Sequence, residues 1–185
     1  MPSMMPQMCE ITAPNPQVST VMSNAGLEAA INVAGGKMIR TNVGDKNVID
    51  EMLRNDFNFG GEQSGHLIFR DHASTGDGLV AALQILRIMR AKETPLSKLA
   101  KCWTRFPQLV TNVKVREKKP FAELDGVNVL VAAAEKELAD QGGRLLLRYS
   151  GTERKARLLV EGRDEAALKS WSEKICGAIQ QQIGA

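Results

Sequence analysis

The sequence predicts an α/β unit built on a mixed sheet, followed by a smaller α+β unit with a mostly antiparallel sheet. Three observations lead there. Over residues 18–92, short apolar runs alternate with stretches whose apolar residues recur at helical spacing, the pattern of strands and helices packed in layers. Near Phe106 the composition shifts, and a run ending in the charged tip REKK follows. Beyond it, two apolar runs, RLLLRYS and KARLLVEG, are joined by one short polar loop, which suits antiparallel neighbours. These features divide the chain into an irregular arm (1–17), an α/β unit (18–106) and an α+β unit (107–185).

The elements follow in order. The start, MPSMMPQMCEITAPNPQ, is rich in Pro and Met and has neither a charged n-region nor an apolar h-region, so it reads as an arm rather than a secretory signal. VSTVMS (18–23) is a buried strand. In NAGLEAAINVAGG, Leu27, Ala30 and Ile31 share a helical face and Gly35-Gly36 stop the helix. KMIRTNV is a second strand, and GDKNVIDEMLRND is a second helix carrying Val48, Met52 and Leu53. FNF and HLIFR are short strands beside the turn GGEQSGH. The clearest helix pattern is STGDGLVAALQILRIMRAK (74–92). Leu79, Leu83, Leu86 and the stem of Arg90 form its stripe, Ser74 and Asp77 have capping-box spacing, and basic residues close it. TPLSKLAKCW adds a short helix opened near Pro95. In the second unit, FPQLVTNVKVREKKPF is a strand with a charged tip and GVNVLVAAAEKELADQGG a helix ended by Gly142-Gly143. The last helix is capped by Asp164, with Leu168, Trp171, Ile175 and Ile179 on its apolar face.

Composition narrows the function. The 185 residues are 43% hydrophobic and 24% charged, which argues against dominant disorder and leaves enough chain for a real core. A net charge of +3 is that of an ordinary solvated surface. Nucleic-acid binders show a basic stripe with stacking aromatics, and this chain, 4% aromatic, shows neither. No apolar run reaches the length of a membrane span. Cys9, Cys102 and Cys176 are far apart and lack metal-ligand spacing, so they read as reduced thiols of a cytoplasmic protein.

Two loops hold candidate chemistry. In RYSGTERKAR, Gly151 lets backbone N–H approach an anion, Ser150 and Thr152 bring two hydroxyls together, and Arg148 and Arg157 bracket the loop with forked donors. That set suits a phosphate monoester. On chemistry alone a polar hairpin with surface arginines is the alternative. In GGEQSGH, Glu62 could accept from vicinal sugar hydroxyls, and Ser64 and His66 add polar contacts. There the alternative is a hairpin with a satisfied polar tip. His66 and His72 are too few for zinc, so no metal is expected on this chain. REKK reads as a solvated tip, and no GxGxxG, P-loop or GxSxG motif occurs.

Taken together, GEQSGH and RYSGTE resemble the paired motifs of the α-D-phosphohexomutase superfamily, which interconverts sugar 1-phosphates and 6-phosphates. Its members have four domains around one cleft. The third carries a Gly-Glu-x-Ser-Gly-His sugar loop and the fourth an Arg-x-Ser-Gly-Thr-Glu phosphate loop. Both stand here in that order, and TVMSNAGLE, VGDKNVIDEML and HASTGDGLVAALQIL look like third-domain segments. The resemblance runs from residue 18 to about 180. Gln63, TVMSN and TGDG are most similar to the phosphoglucosamine mutase branch, while phosphomannomutases and phosphoglucomutases are less similar there. By this resemblance the fold is that of domains three and four. Glu62, Ser64 and His66 would hold sugar hydroxyls. Arg148, Ser150, Gly151, Thr152 and Arg157 would hold the phosphate not being transferred. Asp45 and Lys46 would line the cleft. Arg154 stands where the family usually has Pro, and would either loosen the loop or add a basic group near the anion.

The family's phosphoserine and its Asp-Gly-Asp-x-Asp-Arg magnesium loop do not occur. The resemblance therefore implies the substrate-recognition half of a mutase that interconverts glucosamine 6-phosphate and glucosamine 1-phosphate through a bisphosphate. Magnesium and the phosphoserine would belong to a missing N-terminal half, the chain by itself would be inactive, and exposed former domain interfaces would favour self-association. The alternatives are a fragment of a phosphomannomutase or phosphoglucomutase, and a non-catalytic sugar-phosphate binding module.

Overall fold

The computed structural model describes residues 16–185. The arm expected over 1–17 lies outside the described residues except for Pro16 and Gln17. The chain divides between Thr104 and Arg105 into two units.

The first unit contains β1 (Gln17–Thr20), α1 (Ala25–Val33), β2 (Met38–Thr41), α2 (Asp45–Arg54), β3 (Phe59–Gly61), β4 (Leu67–Phe69), α3 (Gly78–Ala91) and α4 (Leu96–Leu99). Its sheet order is β2-β1-β3-β4. β1 runs parallel to β2 and β3, and β4 is antiparallel to β3, so the sheet is mixed. The core gathers Val18, Val48, Met52 and Ile68.

Three local features depart from the sequence pattern, each for a physical reason. β1 stops at Thr20, before the apolar run ends. There Thr20 Oγ1 accepts from Met22 N at 3.3 Å and Ser23 N donates to Thr20 O at 3.0 Å, which turns the chain. Asn24 then caps α1 by accepting from Gly26 N at 3.0 Å. Arg40 ties this turn to β2, donating to Ser23 O at 2.6 Å and pairing with Glu28 at 2.9 Å. The strand expected at FNF forms two residues later, as β3. A Cβ at Gly60 would lie 2.7 Å from Met52 Sδ and 2.9 Å from Val48 Cγ1, so only glycine lets β3 run this close to α2.

The third departure is α3. Its N-cap is Asp77, which accepts from Leu79 N and Val80 N at 2.8 and 2.9 Å; Ser74 is not the cap. The stripe Leu79, Leu83 and Leu86 is exposed, at 71%, 56% and 55%, while Ala81 is buried on the other side. α3 carries two apolar rows, and periodicity alone does not say which one faces β4.

The second unit contains β5 (Gln108–Lys114), α5 (Val127–Ala139), β6 (Arg144–Tyr149), β7 (Lys155–Glu161) and α6 (Glu165–Ile183). Its sheet order is β5-β7-β6, and both pairings are antiparallel. α5 and α6 bury Val127, Ala134, Leu138, Leu168, Ile175, Ile179 and Ile183 against Leu158 and Val160 of the central strand. Asp164 caps α6, accepting from Ala166 N and Ala167 N at 2.9 and 3.2 Å. At one end of the sheet Glu161 is fully buried and is held by Arg144 and by Gln108, whose Nε2 donates at 2.8 Å. Among the described residues no helix is long and apolar enough to cross a membrane.

Candidate functional site: two recognition loops

The turn 62–66 joins β3 to β4, where Gly61 pairs with Leu67. It closes by Glu62 N donating to His66 O at 2.9 Å and Gly65 N donating to Glu62 O at 3.0 Å. Gly65 has φ +99°, a backbone state that L side chains rarely adopt. The start of α2 lies beside this turn. Gly44 N donates to Glu62 Oε1 at 2.8 Å, and His66 Nδ1 sits 3.1 Å from Asp45 Oδ1. Asp45 titrates below its ordinary range. Hydrogen bonding with Glu62 is the main cause, burial opposes it, and His66 adds to it. Ser64 is exposed on the turn, and Lys46 is exposed and paired with Asp50. Asp45, Glu62 and His66 thus form one polar cluster, and Lys46 points its charge elsewhere.

Asp45, Glu62 and His66 each offer a ligand atom within 4.8 Å of the others. Their donors are two carboxylates and an imidazole. Imidazole suits zinc, copper or nickel rather than magnesium, which takes oxygen ligands and water. The trio therefore does not fit magnesium.

In the second unit, the loop 150–154 joins β6 to β7. Arg148 and Arg157 are directly opposed in the strand register. Like charges so placed repel each other, and they can share an anion. Arg157 Nη2 lies 2.8 Å from Glu153 Oε2, and its Nε is buried with no hydrogen-bond partner among the described residues. Glu153 also accepts from Lys155 Nζ at 2.6 Å. Lys155 first and Arg157 second hold the Glu153 carboxyl below its ordinary range.

Ser150 is buried, and its Oγ accepts from Glu153 N at 3.3 Å, which helps close the loop. Gly151 and Thr152 are exposed. A Cβ at Gly151 would meet nothing within 4 Å, so packing does not demand glycine there. What glycine leaves is uncovered backbone. Arg154 directs Nη1 toward Arg116 O at 3.5 Å, while its own carbonyl accepts from Val115 N at 3.0 Å. With Lys114, Arg116, Glu153 and Lys155 it lines a depression of about 470 Å³.

The REKK tip is not simply solvated. Lys118 Nζ donates to Ser150 O at 2.6 Å, and Tyr149 OH donates to Lys119 O at 2.6 Å. Sequence reading misses these contacts because they join residues about thirty apart. The one available signal is that REKK follows β5, the strand that β7 pairs with.

Residues 4–106 match the family description "Phosphoglucomutase/phosphomannomutase, alpha/beta/alpha domain III", and residues 110–178 match "Phosphoglucomutase/phosphomannomutase, C-terminal domain". The chain belongs to the phosphoglucomutase/phosphomannomutase family. The first match starts at residue 4, so the likeness to this family reaches further toward the N-terminus than the motifs alone suggest. Among curated phosphoglucosamine mutases, that of Anaeromyxobacter dehalogenans (strain 2CP-C) is 53% identical over 167 residues, 90% of this chain and 36% of the relative. That of Geobacter metallireducens is 47% identical over 170 residues, 92% of this chain and 38% of the relative. The chain thus spans a little over a third of the length of the curated family members it matches. A solved structure of Aspergillus fumigatus N-acetylphosphoglucosamine mutase aligns with a TM-score of 0.74 at 19% identity, over 90% of this chain and 38% of that one. Its complex with GlcNAc-6P and magnesium aligns with a TM-score of 0.71 at 18% identity, over 95% and 40%. At such identity these alignments speak for the phosphohexomutase fold.

Proposed function

We propose that this chain is the substrate-recognition part of a phosphoglucosamine mutase, a cytoplasmic enzyme interconverting glucosamine 6-phosphate and glucosamine 1-phosphate through a bisphosphate. The curated relatives carry that name, which favours glucosamine phosphate over glucose or mannose phosphate. The α/β unit, 18–106, binds sugar hydroxyls through Glu62, Ser64 and His66, with Asp45 orienting His66. The α+β unit, 107–185, binds a phosphate through Arg148, Ser150, Gly151, Thr152 and Arg157.

One observation carries the phosphate assignment. Arg148 and Arg157 face each other across two strands, and Arg157 Nε is buried without a hydrogen-bond partner among the described residues. Glu153 offsets part of the repulsion between the two apposed guanidiniums, and a dianion that accepts forked donors from both would offset more. Grips on hydroxyls and on the spectator phosphate are independent of the reacting end, so the intermediate can present either phosphate. Catalysis then rests on positioning and electrostatics. Magnesium would stabilise charge on the transferring group. Asp45, Glu62 and His66 do not fit it, so it would be held outside these loops, as would the phosphoryl donor.

Titration calorimetry with glucosamine 6-phosphate tests this reading. The wild-type chain should bind, and Arg148→Ala combined with Arg157→Ala should weaken binding at least about a hundredfold, as expected for losing two charge-assisted contacts. Binding that survives the double substitution would remove the phosphate assignment. Turnover by the pure chain would contradict its role as recognition part only.

A further inference from the structure

Lys118 sits behind the phosphate loop. Its Nζ donates to Ser150 O at 2.6 Å and lies 3.4 Å from Gly151 O. In a trans peptide the C=O and the following N–H point in opposite directions. Carbonyls drawn toward Lys118 therefore turn the N–H groups of Gly151 and Thr152 to the opposite side. Neither N–H finds a protein acceptor among the described residues. The missing Cβ at Gly151 leaves the approach to them open.

The reach of Lys118 is fixed from both sides. Before it, Val115 N donates to Arg154 O at 3.0 Å and Arg116 N to Ile183 O at 2.8 Å. After it, Lys119 O accepts from Tyr149 OH, and Phe121 stacks on Tyr149 with ring centroids 4.2 Å apart. Segment 115–121 is thus a strap across the base of the loop, and Lys118 is its contact with the loop backbone.

We infer that Lys118 is a positioning residue for anion binding: its ammonium orients the two loop peptides so that the Gly151 and Thr152 N–H groups present a backbone nest to the phosphate. The inference rests on the phosphate reading of this loop and deepens it. Without Lys118, no other donor among the described residues reaches the Ser150 and Gly151 carbonyls, and an oxygen dipole facing a dianion repels it. The ammonium also adds positive charge to a nest that otherwise has only partial charges.

The test uses the 185-residue chain, inorganic phosphate as probe, and amide NMR with calorimetry. In the wild type, phosphate should shift the Gly151 and Thr152 amides most among loop amides. Lys118→Met should weaken phosphate binding about tenfold, the scale of one charge-assisted hydrogen bond, and shrink those two shifts, while the Arg148 and Arg157 Nε–H signals still respond. Lys118→Arg, which keeps a cationic donor, should restore most of the affinity. If Lys118→Met binds phosphate as tightly as wild type with the same amide shifts, the role of Lys118 is overturned and the arginine cradle stands. If the wild type does not bind phosphate at all, the cradle falls and Lys118 with it. Should Lys118→Met fail to fold, the wild type alone decides: largest shifts at amides other than Gly151 and Thr152 overturn the proposed orientation.

Discussion

Glu153 shows how much one side chain shapes the loop proposed to bind phosphate. It accepts from Lys155 at 2.6 Å and from Arg157 at 2.8 Å, and this lowers its titration. A carboxyl with a lowered folded-state pKa contributes stability above the ordinary carboxylate range and loses it as pH falls through the lowered value. In a pH titration followed by carboxyl-carbon NMR, Lys155→Met should raise the Glu153 midpoint more than Arg157→Met does, because the Lys155 contact is shorter. The reverse order would contradict this arrangement. At this scale the sequence is only partly legible. RYSGTE and GEQSGH name the residues, and spacing suggests that Arg148 and Arg157 bracket a loop. That Gly44 N–H and the Asp45 carboxylate stand beside Glu62 and His66 is not readable, since these partners are 18 and 21 residues apart and only the fold brings them together.

At the scale of elements, most helices and strands follow from periodicity and caps, as Asp164 illustrates. The failures have physical causes. Gly60 and Gly61 look like loop residues, yet they lie in β3, where a Cβ at Gly60 would meet Met52 and Val48 of α2 and one at Gly61 would meet His66 O and Leu67. On α3 the leucine row is exposed, while the opposite face carries the buried Ala81 and the half-buried Ile85 and Ile88. The second sheet holds a feature that no periodicity shows: Glu161 on β7, fully buried and paired with Arg144 on β6. Removing one partner of a buried pair leaves an uncompensated charge. Arg144→Met should therefore destabilise the chain by about 3 kcal/mol in denaturant unfolding, with phosphate affinity at the far end of β6 little changed. A loss below about 1 kcal/mol would show that the other partners of Glu161, Gln108 among them, satisfy it without Arg144.

At the scale of the molecule, each unit holds its own core and its own loop. In the sequence a change of composition near Phe106 suggests a boundary, the two units part between Thr104 and Arg105, and two short motifs point to the family. A fragment spanning 105–185 should fold and bind inorganic phosphate within about twofold of the full chain, since the phosphate loop and its Lys118 strap draw their hydrogen bonds from that unit. A fragment that unfolds, or folds without binding, would show that this unit depends on the first. The central claim is that one loop recognises sugar hydroxyls and the other phosphate. Parallel NMR titrations of the full chain with glucosamine 6-phosphate and with inorganic phosphate test it most directly. The account predicts that the sugar phosphate shifts amides of both 62–66 and 148–157, while inorganic phosphate shifts only 148–157. Identical responses to the two ligands, or a sugar phosphate response that leaves 62–66 unmoved, would contradict it.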